Sequence, residues 1–188
     1  MRFAIFTLAC TLGLGSCSVQ QGDPALAPLL DLIERRLAVA DVVALHKWDN
    51  GQPVQASERE EAIIAAVRQA ALAHALDPEQ AAAFFTDQIE ANKLVQYARL
   101  SQWQLAGAAP ALPRHDLQRI IRPRLDGLQA ALLRQLASFN QTRSRQCARE
   151  LALSLAQRQG DPLHRVGMIR ATGQLCDWPQ VKMLYIGA

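Results

Sequence analysis

Leu29, Leu32, Ile33, Leu37, Val39, Ala40, Val43 and Ala44 fall at spacings of three and four, the period of one apolar helix face. A similar pattern returns in Ile63, Ile64, Val67, Ala70, Ala71 and Ala75. Farther on, Phe84, Phe85, Ile89, Val95, Tyr97 and Trp103 supply the large side chains. Runs of Val, Ile, Thr and Tyr, which a sheet would need, are nearly absent, whereas the strong helix formers alanine and leucine dominate. A chain of 188 residues, half of them apolar but only 5% aromatic, is therefore expected to fold as one all-α domain with a substantial core.

Local signals divide this pattern into a bundle of about six helices. The first runs from Leu29 to about Trp48 and stops at the turn Asp49-Asn50-Gly51, with Pro53 beyond. Ser57 reads as the N-cap of a second helix, with Glu60 at the capping-box spacing. Asp77-Pro78 starts a third, expected to reach about Leu105, with Asp77 as N-cap and Pro78 in the first position. After the Ala/Pro-rich break at Gly107 to Pro113, a fourth helix covers about Asp116 to Asn140. It tolerates Pro123 only near its start or at a kink. A last pair, about Ser144 to Gln159 and Pro162 to Leu175, is split by Gly160-Asp161-Pro162. The expected layout is one domain over 29–188, with core helices in 29–105 and C-terminal helices in 116–188.

Ahead of it, Arg2 precedes the uncharged, largely apolar run Phe3 to Gly15, which has the length of a signal h-region and is short for a membrane span. Residues 1–18 thus read as an export signal and 19–28 as a polar tether. Leu14-Gly15-Ser16-Cys17 resembles a bacterial lipobox, in which Cys17 would carry a lipid anchor. Ordinary cleavage after Ser16-Cys17-Ser18 is the rival route. Either way the domain is periplasmic or secreted. Cys147 and Cys176 are the two cysteines left in the domain and read as one disulfide pinning a C-terminal helical extension.

Chemistry is most legible in polar residues set on apolar faces. Arg36 and Lys47 are eleven residues apart, so on a straight helix they point within about 20° of each other, about 16 Å apart. Such cations must snorkel to solvent, meet carboxylates or await an anionic ligand. Arg59 and Glu60 open the second helix, Asn92 and Gln96 form an i,i+4 amide pair on the third, and Arg122 stands before Pro123. The net charge of +3 is too small to argue for nucleic acid. No nucleophile elbow, phosphate loop, dinucleotide fingerprint or metal-ligand spacing is present.

Glu34-Arg35-Arg36-Leu37-Ala38-Val39-Ala40-Asp41, His46-Lys47-Trp48, Ser57-Glu58-Arg59-Glu60 and Asp87-Gln88-Ile89-Glu90-Ala91-Asn92 closely resemble the all-helical (AroQ-class) chorismate mutases. Tyr97-Ala98-Arg99-Leu100-Ser101-Gln102-Trp103 and the C-terminal extension resemble that family's secreted subclass. The resemblance is strong over Leu29 to Trp103 and weaker beyond. It implies a cofactor-free rearrangement of chorismate to prephenate, in a site built within one chain. Arg36, Arg59 and Arg122 match the family's carboxylate-binding arginines, and Lys47 and Gln96 match donors flanking the ether oxygen of the breaking bond. Asn92 matches a carboxylate contact, usually Ser or Thr, and Glu60 a residue that holds the substrate hydroxyl. Arg122 is chosen over the nearby Arg119 and Arg124 by its spacing to Leu125-Asp126-x-Leu128. The secreted subclass commonly dimerises, so a homodimer is expected.

Two departures stand out: Ala56 where the family often has an acidic residue, and Gln96 where some secreted members carry glutamate. An isochorismate pyruvate lyase shares the fold, but the long Lys47-to-Arg59 loop and the extension argue against it. A non-catalytic periplasmic helical interaction module is the rival from another class.

Overall fold

The computed structural model describes residues 24–178, so the expected export signal, with Cys17, lies outside the described residues, as do residues 19–23 of the expected tether, whose last three residues are already helical in the structure. Seven α-helices follow in order: α1 Leu26–Leu37, α2 Val39–Asn50, α3 Ser57–Leu72, α4 Pro78–Ala106, α5 Arg122–Thr142, α6 Cys147–Gln157 and α7 Pro162–Ala171. A π-helical turn over Leu117–Ile121 leads into α5. No strand occurs among the described residues.

The expected first helix is two segments broken at Ala38, whose backbone stays helical (φ −60°, ψ −20°) and whose N–H still reaches the Glu34 carbonyl at 2.8 Å. α1 and α2 thus act almost as one rod, and the bundle keeps its expected count of about six. α2 ends as its turn signature requires: Gly51 takes φ +58°, a left-handed conformation that costs glycine nothing, and the Gln52 N–H returns to the Lys47 carbonyl at 2.9 Å.

The start of α3 differs from the expected capping box. Ala56 is the N-cap and Ser57 already lies inside the helix. Glu60 Oε1 accepts the Ala56 N–H at 3.0 Å, so only the carboxylate half of the motif survives, displaced by one residue. At α4 the expectation holds: Asp77 Oδ1 accepts the Glu79 and Gln80 N–H groups at 2.8 and 2.9 Å, with Pro78 in the first turn. Pro123 falls in the first turn of α5, directly after the π turn, where its missing N–H costs least. The last two helices are shorter than expected, and turns rather than helix carry the chain from Thr172 to Asp177.

α4, with 29 residues about 43 Å long, is the axis of the bundle and packs against α2, α3 and α7. The main core gathers Leu29, Leu30 and Ile33 of α1, Phe85 of α4, and Leu132, Leu133, Leu136 and Phe139 of α5, all essentially inaccessible to solvent. Tyr97, expected among the large packing side chains, is instead half exposed. α7 crosses α1 closely at Gly167, where an added Cβ would lie 2.7 Å from Leu37 Cδ2. α7 is also tied to α4 by polar contacts. Asp87, 2% exposed, accepts from the Arg170 guanidinium and from the Gln174 N–H at 3.0 Å. Next to it, Gln88 Nε2 donates to the Ala171 carbonyl at 2.7 Å.

The Cys147–Cys176 disulfide joins the start of α6 to the turns after α7, with Cα atoms 5.7 Å apart, as expected from the cysteine count. It closes a loop spanning 29 positions and should therefore act mainly by restricting the unfolded chain. Reduction is expected to lower stability by about 2–4 kcal/mol while leaving activity intact under mild conditions, as read from urea midpoints with and without reductant. Unchanged midpoints would show that the bridge does not constrain the extension.

Candidate functional site

Arg36 comes from the last turn of α1, Lys47 from the last turn of α2, and Arg59 and Glu60 from the first turn of α3. α4 supplies Asn92 and Gln96 from its middle, and Arg122 opens α5 after the π turn. These seven residues all line one cavity of about 400 Å³. Its apolar walls include Val43, Val54, Ile63, Ile89, Leu117 and Leu125. Arg119 and Arg124 do not line it, so the spacing argument for Arg122 selects the arginine that does. The sequence reading missed Lys93, which follows Ile89 by four and precedes Gln96 by three, and so shares their face of α4.

Five cationic side chains, Arg36, Lys47, Arg59, Lys93 and Arg122, meet only two carboxylates here, Glu60 and Asp126. The cations are held with different firmness. Arg36 is 5% exposed and its Nη1 donates to the Gln88 carbonyl at 3.3 Å, while its buried Nε has no partner. Burial without a carboxylate pushes its guanidinium down to about 10, so it remains charged at neutral pH. Lys47 donates to the Val54 carbonyl at 2.6 Å and fastens the α2–α3 loop over the cavity. Its burial lowers the ammonium from the ordinary lysine value, and the Glu60 charge opposes that shift. Arg59 touches Asp126 at 3.4 Å with both side chains well exposed, a contact weak enough for a ligand to displace. Arg122 Nη1 donates to Gln118 Oε1 at 2.5 Å, one turn earlier on the chain.

Glu60 is more fully engaged. Oε1 takes the Ala56 N–H, and Oε2 takes Lys93 Nζ at 3.2 Å and Gln55 Nε2 at 3.1 Å. Burial would raise this carboxyl, but the Ala56 and Lys93 bonds outweigh it and hold the group below the usual glutamate value. On α4, Gln96 Nε2 donates to Asn92 Oδ1 at 2.7 Å, and Asn92 Nδ2 reaches the Arg36 carbonyl at 3.4 Å. Gln96 is 4% exposed and its Oε1 is buried without a partner.

A larger cleft of about 660 Å³ lies between α6 and α7, and most of its charges are already matched, with Arg165 exposed at its edge. Arg158 pairs with Asp31 and Glu34, and Asp161 with Arg99. The cavity of about 400 Å³ combines an excess of cations with buried polar atoms that lack partners, a combination suited to an anion bearing more than one acceptor.

The fold is thus a helical bundle enclosing a cation-rich, largely apolar cavity within one chain. The chain belongs to the chorismate mutase type II family, whose sequence model matches residues 27–97. A secreted chorismate mutase of Mycolicibacterium smegmatis is 31% identical, over 92% of this chain and 98% of that protein. One from Mycobacterium tuberculosis is 33% identical, over 82% of this chain and 80% of that protein. The crystal structure of chorismate mutase from Burkholderia phymatum superposes with a TM-score of 0.78 at 42% identity, covering 82% of this chain and 97% of that one.

The unpaired Arg36 leads to a stability test. A buried cation lacking a carboxylate burdens the empty protein, so Arg36→Met should raise the unfolding free energy by about 1 kcal/mol or more, read as a higher urea midpoint, while abolishing ligand-induced stabilisation. A clearly destabilised Arg36→Met protein would mean that the guanidinium serves the fold.

Proposed function

We propose that the protein rearranges chorismate to prephenate outside the cytoplasm, within one chain and without a cofactor. The single observation that supports this most is the cavity of about 400 Å³ in which the cations outnumber the carboxylates and Arg36 Nε is buried without a partner. Chorismate carries two carboxylates, and its rearrangement is unimolecular, needing no nucleophile and no proton transfer. An enzyme can accelerate it in two ways. It can hold the compact conformer in which the bonding carbons approach, and it can favour the negative charge that grows on the ether oxygen as the C–O bond breaks.

In this reading Arg36, Arg59 and Arg122 grip the carboxylates, since a guanidinium fork can donate two parallel hydrogen bonds. Asn92 adds a carboxylate contact and Glu60 accepts from the substrate hydroxyl. Lys47 and Gln96 donate to the ether oxygen. For Gln96 this requires its NH₂ to face the substrate. Turning it alone would set Oε1 against Asn92 Oδ1, so the two amides turn together; this replaces the 3.4 Å contact from Asn92 Nδ2 to the Arg36 carbonyl with an Asn92 oxygen facing that carbonyl, a cost that the bond to the substrate has to offset. The rearrangement is tested by following the loss of chorismate's diene absorbance with the domain from residue 19 onward; no loss above the uncatalysed rate overturns the reading.

Export rests on the leader-like residues 1–18 and on relatives described as secreted. The lipid anchor at Cys17 and the homodimer are further parts of the proposal, readable by mass spectrometry of the mature N-terminus and by sedimentation.

Lys47→Ala should reduce turnover at least 100-fold, about 3 kcal/mol of transition-state stabilisation, with helical content retained by circular dichroism. Near-normal turnover in a folded variant removes Lys47 from the reacting atoms.

The neutral amide at Gln96 sets the pH dependence. Arg36 is charged throughout the neutral range, and Glu60, held below its ordinary value, is ionised above pH 5. Glu60 would be lost only as pH falls through that depressed value, so a nearly flat rate from pH 5 to 8 is expected. Gln96→Glu should be slow at neutral pH, where a carboxylate faces growing negative charge, and should recover as acid protonates it. A steep acid optimum in the wild type, or a Gln96→Glu variant indifferent to pH, would exclude contact between Gln96 and the ether oxygen.

A further inference from the structure

Lys93 lines the cavity, yet two of the three N–H donors of its ammonium are already used. Nζ donates to Glu60 Oε2 at 3.2 Å and to Glu90 Oε1 at 2.7 Å, and its side chain is 13% exposed. The first bond crosses from α4 to α3 and the second stays within α4. Glu60 has two oxygens and about four acceptor sites. The Ala56 N–H, Gln55 and Lys93 use three of them, which leaves one for a donor from the cavity. Two of those three partners come from the loop ahead of α3. Lys93 is the only one on α4, the helix that also carries Asn92 and Gln96. The Lys93 bridge is therefore the direct hydrogen bond that ties the Glu60 carboxylate to the helix carrying the Asn92–Gln96 pair, on top of the apolar packing of α3 on α4.

We infer that Lys93 is a positioning residue which fixes the Glu60 carboxylate, in its ionised form, at a set distance from the Asn92–Gln96 amides, so that Glu60 accepts the substrate hydroxyl in one orientation. The inference rests on the reading that Glu60 receives that hydroxyl. Glu60 is faced by Lys47 from α2, by Lys93 and Glu90 from α4, and by its neighbour Arg59, with Arg122 and Asp126 of α5 on another wall of the cavity. Lys93 is the cation in hydrogen-bond contact with it. Without Lys93, burial would act against the carboxylate with less opposition, and Glu60 would protonate at a higher pH.

The test compares kcat and KM for chorismate in the full domain across pH 5 to 8. The variants are Lys93→Met, Lys93→Gln, Lys93→Arg, Glu60→Gln and the double variant Lys93→Met/Glu60→Gln. Lys93→Met is expected to lower kcat/KM roughly tenfold at pH 7.5, a coupling typical of groups in direct contact. The loss should deepen below pH 6 as Glu60 takes up a proton. Lys93→Arg should restore most of the rate and the flat profile. The double variant should be no worse than Glu60→Gln. Lys93→Gln provides the same comparison should the methionine variant not fold.

Three results overturn the inference. Wild-type kcat/KM in Lys93→Met leaves Lys93 no role. A loss that is equal at every pH and multiplies in the double variant assigns Lys93 to the fold or to direct substrate contact. Wild-type activity in Glu60→Gln removes the hydroxyl-holding role of Glu60 and the inference with it, whereas an impaired Glu60→Gln beside an unaffected Lys93→Met overturns the Lys93 bridge alone.

Discussion

A guanidinium set in the last turn of α1, 5% exposed and reaching only a backbone carbonyl, is the constraint around which the rest of this bundle is arranged. In the core of an ordinary helical domain Arg36 would be replaced by leucine or would find a carboxylate. Here the neighbouring elements are built so that it does neither. Its one protein acceptor, the Gln88 carbonyl, lies on α4 in the segment that α7 grips from outside. Gln88 Nε2 holds the Ala171 carbonyl, and Asp87 takes Arg170 and the Gln174 N–H. Polar contacts at one level of α4 therefore connect Arg36 to the C-terminal extension. The extension in turn is fastened by the Cys147–Cys176 bridge and by the close crossing at Gly167.

The two faces of α4 at this level have opposite electrostatic character. On the α7 side, the buried Asp87 is fully matched by donors from α7 and the turn after it. On the cavity side, cations exceed carboxylates and buried polar atoms stay unsatisfied. A matched network rigidifies, whereas an unmatched one stores affinity for a ligand. Setting the two back to back lets the extension hold the wall of a cavity that would otherwise tend to collapse or to recruit a protein carboxylate.

Much of this was legible in the sequence because it is local. The three- and four-residue apolar spacing gave the helices, Asp77-Pro78 the start of α4, and Asp49-Asn50-Gly51 the end of α2. The two remaining cysteines gave their own pairing. Arg36, Lys47, Asn92 and Gln96 stood out as polar residues on apolar faces. What failed was non-local or depended on competition between neighbours. Ser57 has the composition of a cap, but Glu60 reaches the Ala56 N–H and the helix begins one residue earlier. The π turn at Leu117–Ile121 carries no compositional mark. Lys93 carries an ordinary surface residue's signature until α3 brings Glu60 against it, 33 positions away.

The cations themselves form a graded series. Arg36 is buried without a carboxylate, and Lys47 is half-buried and tied to a loop carbonyl. Arg59 and Arg122 rest in exposed contacts with Asp126 and Gln118 that bulk water already weakens. A cavity whose cations were all as fixed as Arg36 would be preorganised but poorly stable. One whose cations were all as loose as Arg59 would lose ordering entropy with every ligand it bound. The fixed cation lies deep, at the α1–α4 contact, and the loose ones lie at the rim, where α3 faces α5. That order suits the dianion proposed above, which would meet the exposed arginines first and the buried one last.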